Sequence, residues 1–348
     1  MINKKYGKPL GNLIGIKQDF FNNNDANLAM ADDMADALLL QPKRTVCKMC
    51  NSVLDGEIIL KSHKMGYYLC KKCHHLNSEH EDTDAFAQKV YITDNYANNY
   101  TAADIEKYEN RLDSIYIPKA QFLIDSLAKD GIDVADIKLL DDGAGSGYFV
   151  RAMRKLGADA SGVEISADQV NFANDCAKAA GINEPILKQV DSDKITDYIK
   201  NTNCSVLSAI GVLEHIISLQ DTLDAIRDNQ NIKYLYISVP MFGFSALFEG
   251  AFQECYNRHL GGTHTHLFSD DSLDYMANRI GFGIHSSWKF GSDMMDLYRF
   301  LSVSLAKNGN EEAVKVLSEQ FLPIIDKLQL VVDESEFASE VHMLLKRK

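Results

Sequence analysis

Four cysteines occur in two like pairs. Cys47-Lys-Met-Cys50 and Cys70-Lys-Lys-Cys73 are nineteen residues apart, giving C-x2-C-x19-C-x2-C. Each C-x-x-C turn points two thiolates at one centre, and two such turns complete a tetrahedral Zn2+ site. Four thiolates leave no open coordination position, so the expected metal is structural. Its binding energy would fold a segment too small to hold itself together. Four unrelated thiols, or a redox pair, form the weaker alternative. His74, His75 and His80 follow closely; one of them can replace a cysteine, but surface or substrate-facing positions are expected.

A second pattern is Leu139-Leu-Asp-Asp-Gly-Ala-Gly-Ser-Gly-Tyr-Phe149. An apolar run stops at Asp141, and Gly143, Gly145 and Gly147 let the backbone turn sharply and approach a ligand. Glu164 lies seventeen residues beyond Gly147, at the end of the next apolar run. An acid there can take both ribose hydroxyls of a nucleoside. In the dinucleotide fingerprint, G-x-G-x-x-G, the third glycine stands one residue later, where this chain has Tyr148. A tight turn without a ligand is the weaker alternative.

These residues need rigid elements to hold them. Short apolar runs at Ile137–Leu140, Gly162–Ile165, Val206–Ile210 and Tyr234–Val239 predict strands. Helical spacing fills Phe149–Leu156 and Ala167–Ala180, the latter ended by Gly181. Strands alternating with helices predict a mostly parallel sheet with helices on both faces, a Rossmann-like α/β fold. Ile284–Trp288 and Val341–Leu345 predict two further strands, separated by a long helix-like stretch from Met294 to about Leu330. Before the fold, residues 1–43 read as a weakly organised lead-in, with a helix from Ala26 to Leu40. Residues 44–82 read as the metal module and 83–130 as a helical linker or cap. Residues 131–348 form the ligand-binding domain with C-terminal helices.

The 348 residues are enough for more than one domain, and the composition, 46% hydrophobic and 24% charged, is that of a globular protein. A net charge of -13 places extended nucleic-acid binding at a disadvantage. No 18-residue apolar run or secretory leader is evident, so a cytoplasmic protein is expected, and disulfides are not.

Residues 137–290 resemble class I S-adenosylmethionine (SAM)-dependent methyltransferases. The D-x-G-x-G-x-G loop of that family serves a sulfonium amino acid nucleoside with no pyrophosphate. The resemblance implies that Asp141, Gly143, Ala144, Gly145 and Gly147 hold the cofactor, with Glu164 and Ile165 at its ribose. Asp191 is similar to the residue that contacts the adenine amino group. Ser208-Ala-Ile-Gly-Val-Leu-Glu-His-Ile216 looks like the fourth-strand motif, placing Gly211 and Glu214 at the cofactor. Asp142, where an apolar residue is usual, and Asn203-Cys-Ser205, where an Asp is usual, depart from the pattern. More narrowly, residues 45–348 resemble bacterial methyltransferases with an N-terminal zinc module, many acting on sugars of surface polysaccharides or natural products. Arg258–Ser269, Gly291–Arg299 and Ser339–Lys346 carry that likeness.

Methyl transfer needs an acceptor held in line and, for a hydroxyl, a base. His259, His264 and His266 follow the fifth strand, beyond the carboxyl edge where open α/β sheets bind ligands. One of them is the expected base, His264 or His266 ahead of His259. A metal pair or a helix cap is an equally weighted role for any single one. His215 is expected to line the cofactor pocket or to begin a helix. Tyr91, Tyr96, Tyr100 and Tyr108 are expected to pack against the domain, with closure over SAM as the alternative. The expected acceptor is a small molecule, a sugar or nucleotide sugar. RNA gripped by Lys43, Arg44, Lys48, Lys61, Lys64, Lys71 and Lys72 is the alternative, and a non-catalytic scaffold that binds SAM and zinc is a third reading.

Overall fold

The computed structural model describes residues 2–9, 23–87, 105–262 and 264–348. Tyr91, Tyr96 and Tyr100 lie outside the described residues. The strands are β1 (Asn3–Tyr6), β2 (Ile58–Ser62), β3 (Met65–Leu69), β4 (Leu76–Ser78), β5 (Lys138–Asp142) and β6 (Asp159–Glu164). They continue with β7 (Leu187–Gln189), β8 (Val206–Ile210), β9 (Tyr234–Pro240), β10 (His266–Leu267), β11 (Phe282–Phe290) and β12 (Glu340–Arg347).

Among the described residues, eight strands form the main sheet in the order β1-β11-β12-β9-β8-β5-β6-β7. β5 to β9 run parallel, each β-to-β passage carrying a helix, while β12 lies antiparallel between β9 and β11. The central strands are buried on both faces, which is why they read as unbroken apolar runs. Successive side chains serve opposite faces: Leu139, Tyr234 and Tyr236 enter one core cluster, and Leu140, Leu235 and Ile237 the other. This is the predicted Rossmann-like α/β architecture.

Two expectations change. The lead-in contributes an edge strand, β1, paired in parallel with β11 from Asn3↔Ser286 to Tyr6↔Lys289. The Lys5 ammonium lies 3.8 Å from the Trp288 ring centre, and the Trp288 indole N–H donates to the Gly7 carbonyl at 2.9 Å. The long stretch after Met294 is three helices, Asp293–Lys307, Glu311–Phe321 and Ile325–Glu334. Gly309, in the left-handed region, ends the first, and Pro323 sits in the short 3-10 turn before the third.

The cysteine segment forms a second sheet, β10-β4-β3-β2. The two C-x-x-C turns have the same local geometry. In each, the residue after the second cysteine adopts a positive φ (Asn51 54°, His74 52°) and donates its N–H to the first cysteine's carbonyl at 2.9 Å. The four cysteines share one core cluster with Leu219, Phe268 and Leu273 of the large domain. The Gln220 amide clamps the first turn, donating to the carbonyls of Lys48 (2.6 Å) and Met49 (3.0 Å). The fourth strand, β10, comes from the segment after β9 and pairs His266 with Asn77.

Candidate active site and metal centre

The four thiols converge in a buried cluster. Cys47 Sγ lies 3.6 Å from Cys73 Sγ, and Cys50 Sγ 3.5 Å from Cys70 Sγ. All four sulfurs lie within 4.8 Å of one another. Sulfurs at ~2.3 Å from a tetrahedral zinc stand about 3.8 Å apart, so the cluster needs little adjustment to close on the ion. Its hydrogen bond from Cys73 draws the Cys47 thiol down to about 5, and the same bond pushes Cys73 up. The Asn77 amide donates to Cys47 Sγ at 3.6 Å and accepts from the Lys48 N–H at 2.9 Å. The donor set fits a closed, structural Zn2+ site held by Cys47, Cys50, Cys70 and Cys73.

The glycine loop joins β5 to the helix Tyr148–Lys155. Gly143, Gly145 and Gly147 have φ of 63°, 54° and 72°. A side chain at Gly143 would meet Val212 at 2.7 Å, and one at Gly147 would meet Ala173 at 2.9 Å. Both positions therefore require glycine on space as well as on φ. Ala144 ties the loop to β6, its N–H donating to the Val163 carbonyl at 2.9 Å. Glu164, at the end of β6, accepts from the backbone N–H of Gly145 (2.8 Å), Ile165 (2.8 Å) and Ser166 (3.0 Å). Beside it, Ile165 is 51% exposed, an apolar face free for an aromatic base. Asp191 stands at the solvent rim in an ion pair with Lys194 at 2.5 Å. Gly211, φ 68°, turns the chain out of β8 into the 3-10 turn Leu213–His215, which carries the buried Glu214.

Charge decides which ligand fits. Asp141, Asp142 and Glu164 all surround this loop and are nearly inaccessible. Burial pushes Asp141 and Asp142 up to about 7; a hydrogen bond from Ser208 (2.6 Å) opposes it at Asp141. A diphosphate would add repulsion here, whereas a ligand with ammonium and sulfonium charges relieves it. A cation bound beside these acids would lower their pKa, so binding below pH 7 must expel protons. Affinity for such a ligand is therefore expected to fall as pH drops from 7 to 5, by up to about tenfold per unit for one group. Calorimetry in two buffers of different ionisation enthalpy checks this; an affinity flat from pH 5 to 8 would contradict it.

The structure separates the three histidines after β9. His266 is fully buried in β10, its Nδ1 2.8 Å from His75 Nε2, so it belongs to the metal module. His259 is also buried, with Nε2 2.7 Å from the Met241 carbonyl and its N–H held by Glu249 at 2.7 Å. His264 is half-buried, its Nδ1 3.0 Å from the His259 carbonyl. A carbonyl only accepts, so Nδ1 carries the hydrogen and Nε2 presents a lone pair. Burial, then His215 and His259, hold His264 well below the usual imidazole range, keeping it neutral. His215 stacks on it, ring centres 5.0 Å apart. Glu214, His215 and His264 thus offer ligand atoms all within 4.8 Å of one another.

Sequence reasoning missed Glu340. It opens β12 opposite Pro240 and accepts from Ser238 Oγ at 3.2 Å. It faces Lys119 at 3.8 Å and His342 Nε2 at 3.4 Å. Burial opposes its ionisation, yet His342 and Lys119 hold the carboxyl well below its usual range. Its only signal was the pairing of β12 with β9, a contact across a hundred residues. Tyr108 packs: its ring stacks on Tyr148 at 4.2 Å and its hydroxyl donates to the Ser146 carbonyl at 3.0 Å.

Residues 110–287, just over half of the chain, match the family model described as a methyltransferase domain. Among solved structures, magnesium protoporphyrin IX methyltransferase from Synechocystis is similar at 12% identity and a TM-score of 0.47, over 75% of this chain and 97% of that one. Coclaurine N-methyltransferase is similar at 14% identity and a TM-score of 0.43, over 68% and 73%. Geranyl diphosphate C-methyltransferase from Streptomyces coelicolor is similar at 17% identity and a TM-score of 0.40, over 70% and 83%. No match is found among curated proteins.

Proposed function

We propose, on the premise that the chain belongs to the methyltransferase-domain family and is a SAM-dependent methyltransferase, that it methylates a small, hydroxyl-bearing acceptor, a sugar or nucleotide-linked sugar. The observation that carries this reading is the meeting of His264 with His215 and Glu214 beyond the carboxyl end of β8. When bound, SAM supplies a methyl group already activated on sulfur. Asp141, the loop glycines, Glu164 and Ile165 would hold its amino acid end, ribose and adenine, with Asp191 at the rim.

The chain's own work is on the acceptor. Nε2 of His264 carries the lone pair that can take the hydroxyl proton as the oxygen attacks. His259 orients that ring through its carbonyl and is a positioning residue. His266 acts one step further back, holding β10 to β4.

RNA gripped by the metal module is the weaker reading for a specific reason. Five of its seven basic residues are spent on carboxylates. Arg44 and Lys48 are buried against Asp82, Lys43 pairs with Glu79, Lys64 with Asp36, and Lys71 with Asp55. Little positive charge is left to displace counterions from a phosphate backbone.

The test is release of S-adenosylhomocysteine from SAM with a panel of nucleotide sugars and a folded-RNA control. Turnover on a nucleotide sugar is expected, lowered by about 10²–10⁴ in His264→Ala. His266→Ala is expected to act through stability instead, lowering the melting temperature. Turnover on RNA alone would reject the sugar acceptor.

A further inference from the structure

Glu214, His215 and His264 form a constellation in which Glu214 and His215 stand too far apart to share a proton. Groups sharing a proton lie at about 2.6–3.2 Å. Here Glu214 Oε1 and His215 Nε2 are 4.0 Å apart, and all three ligand atoms fall within 4.8 Å. Ligands at ~2.1 Å from a common tetrahedral ion stand about 3.4 Å apart, and trans ligands about 4.2 Å. This spacing leaves room for an ion between the three atoms.

Two further observations point to a cation there. Glu214 is buried, 4% exposed, and among the described residues its Oε2 has no hydrogen-bond partner. An unpaired buried carboxylate oxygen is expensive, and a cation removes the expense. His264 is also prepared as a ligand: a backbone carbonyl fixes its Nδ1–H, which aims the Nε2 lone pair. Metal-binding histidines are held by this outer contact in the same way.

We propose that Glu214, His215 and His264 bind one divalent first-row transition cation. This site is distinct from the four-cysteine centre and has positions open to an acceptor oxygen. Two imidazoles and one carboxylate suit Zn2+, Mn2+, Fe2+ or Co2+ better than Mg2+ or Ca2+, which prefer all-oxygen shells. Three protein ligands leave at least one position free, as catalytic sites require. An acceptor hydroxyl bound there would lose its proton to water more readily, form its O–CH3 bond as the S–CH3 bond breaks, and release S-adenosylhomocysteine. The proton transfer to His264 described above is then the metal-free limit. The catalytic part of the inference rests on the acceptor lying in this cleft; the binding of the cation does not.

Mn2+ is the probe, because it has little affinity for thiolates and leaves the four-cysteine centre undisturbed. Full-length protein, freed of weakly held ions on a mild carboxylate chelating resin and checked by elemental analysis to keep its four-cysteine zinc, is titrated with Mn2+ and the free ion is read by electron paramagnetic resonance. One bound equivalent is expected, displaced by Zn2+, and weakened by about tenfold or more in Glu214→Gln and in His264→Gln. A thermal melt and an unchanged zinc content at the four-cysteine centre establish that the same variants are folded. Wild-type protein that binds no more Mn2+ than the variant lacking all three ligands would overturn the proposal. If His264→Ala still slowed turnover in that case, the base reading would stand alone. One Mn2+ bound while His264→Ala leaves turnover unchanged would uphold the cation site and reject the acceptor assignment.

Discussion

Replacing Cys47 and Cys50 by serine is expected to empty the four-thiolate centre, unfold residues 44–80 and abolish methyl transfer. Structural zinc sites in small modules are worth about 10–16 kcal/mol at neutral pH, comparable to the whole stability of a domain. The loss spreads because the cysteines sit in the same core as Leu219, Phe268 and Leu273. It also reaches the site: Asn77 contacts Cys47 and pairs with His266, two residues from His264. Even 4 kcal/mol of lost stability lowers the melting temperature by about 8–16 °C. Elemental analysis, a thermal melt and single-turnover chemistry measure the three consequences. Full retention of zinc in the double variant would reject the four-thiolate centre.

Glu164→Ala is expected to weaken SAM binding by about 10²–10³ while leaving zinc in place. Its two oxygens organise the loop through three backbone N–H groups and would serve the ribose as well. Charge-assisted hydrogen bonds contribute roughly 1.5–3 kcal/mol each, and each tenfold in affinity is about 1.4 kcal/mol. Glu164→Gln, which keeps acceptor oxygen but not the charge, is expected to fall between wild type and Ala. Calorimetry with SAM decides it, and an unchanged affinity in Glu164→Ala would defeat the cofactor assignment.

The readable parts were those encoded within a few residues. A C-x-x-C turn or a glycine loop states its geometry locally, because spacing and φ suffice. Strands β5, β6, β8 and β9 were readable as short apolar runs, while the three residues of β7 were too few to read. What stayed hidden depends on pairing across long stretches of chain. Nothing near Asn3 announces that it lies beside Ser286. His264 and His266 are two residues apart and chemically alike, yet β10 begins at His266 and draws it into the metal module. His264 stays in the preceding turn, whose Gly261 and Gly262 both adopt positive φ. The partner that gives His264 meaning, His215, is forty-nine residues back on another loop. Glu340 is a surface-like residue in sequence and becomes part of the site only because β12 inserts beside β9.

During synthesis the four thiols leave the ribosome long before the walls that will cover them. Leu219, Phe268 and Leu273 close the buried side of the cluster, and almost two hundred residues separate Cys73 from Phe268. At about 5–20 residues per second this leaves the cysteines uncovered for roughly 10–40 s. In that interval they are open to oxidants and to mispairing. A chain that captured Zn2+ early would be protected, and one that did not would carry damaged cysteines into every later folding step. Yield from cells should therefore follow metal supply at the moment of translation, and metal added to finished apoprotein should recover only part of it.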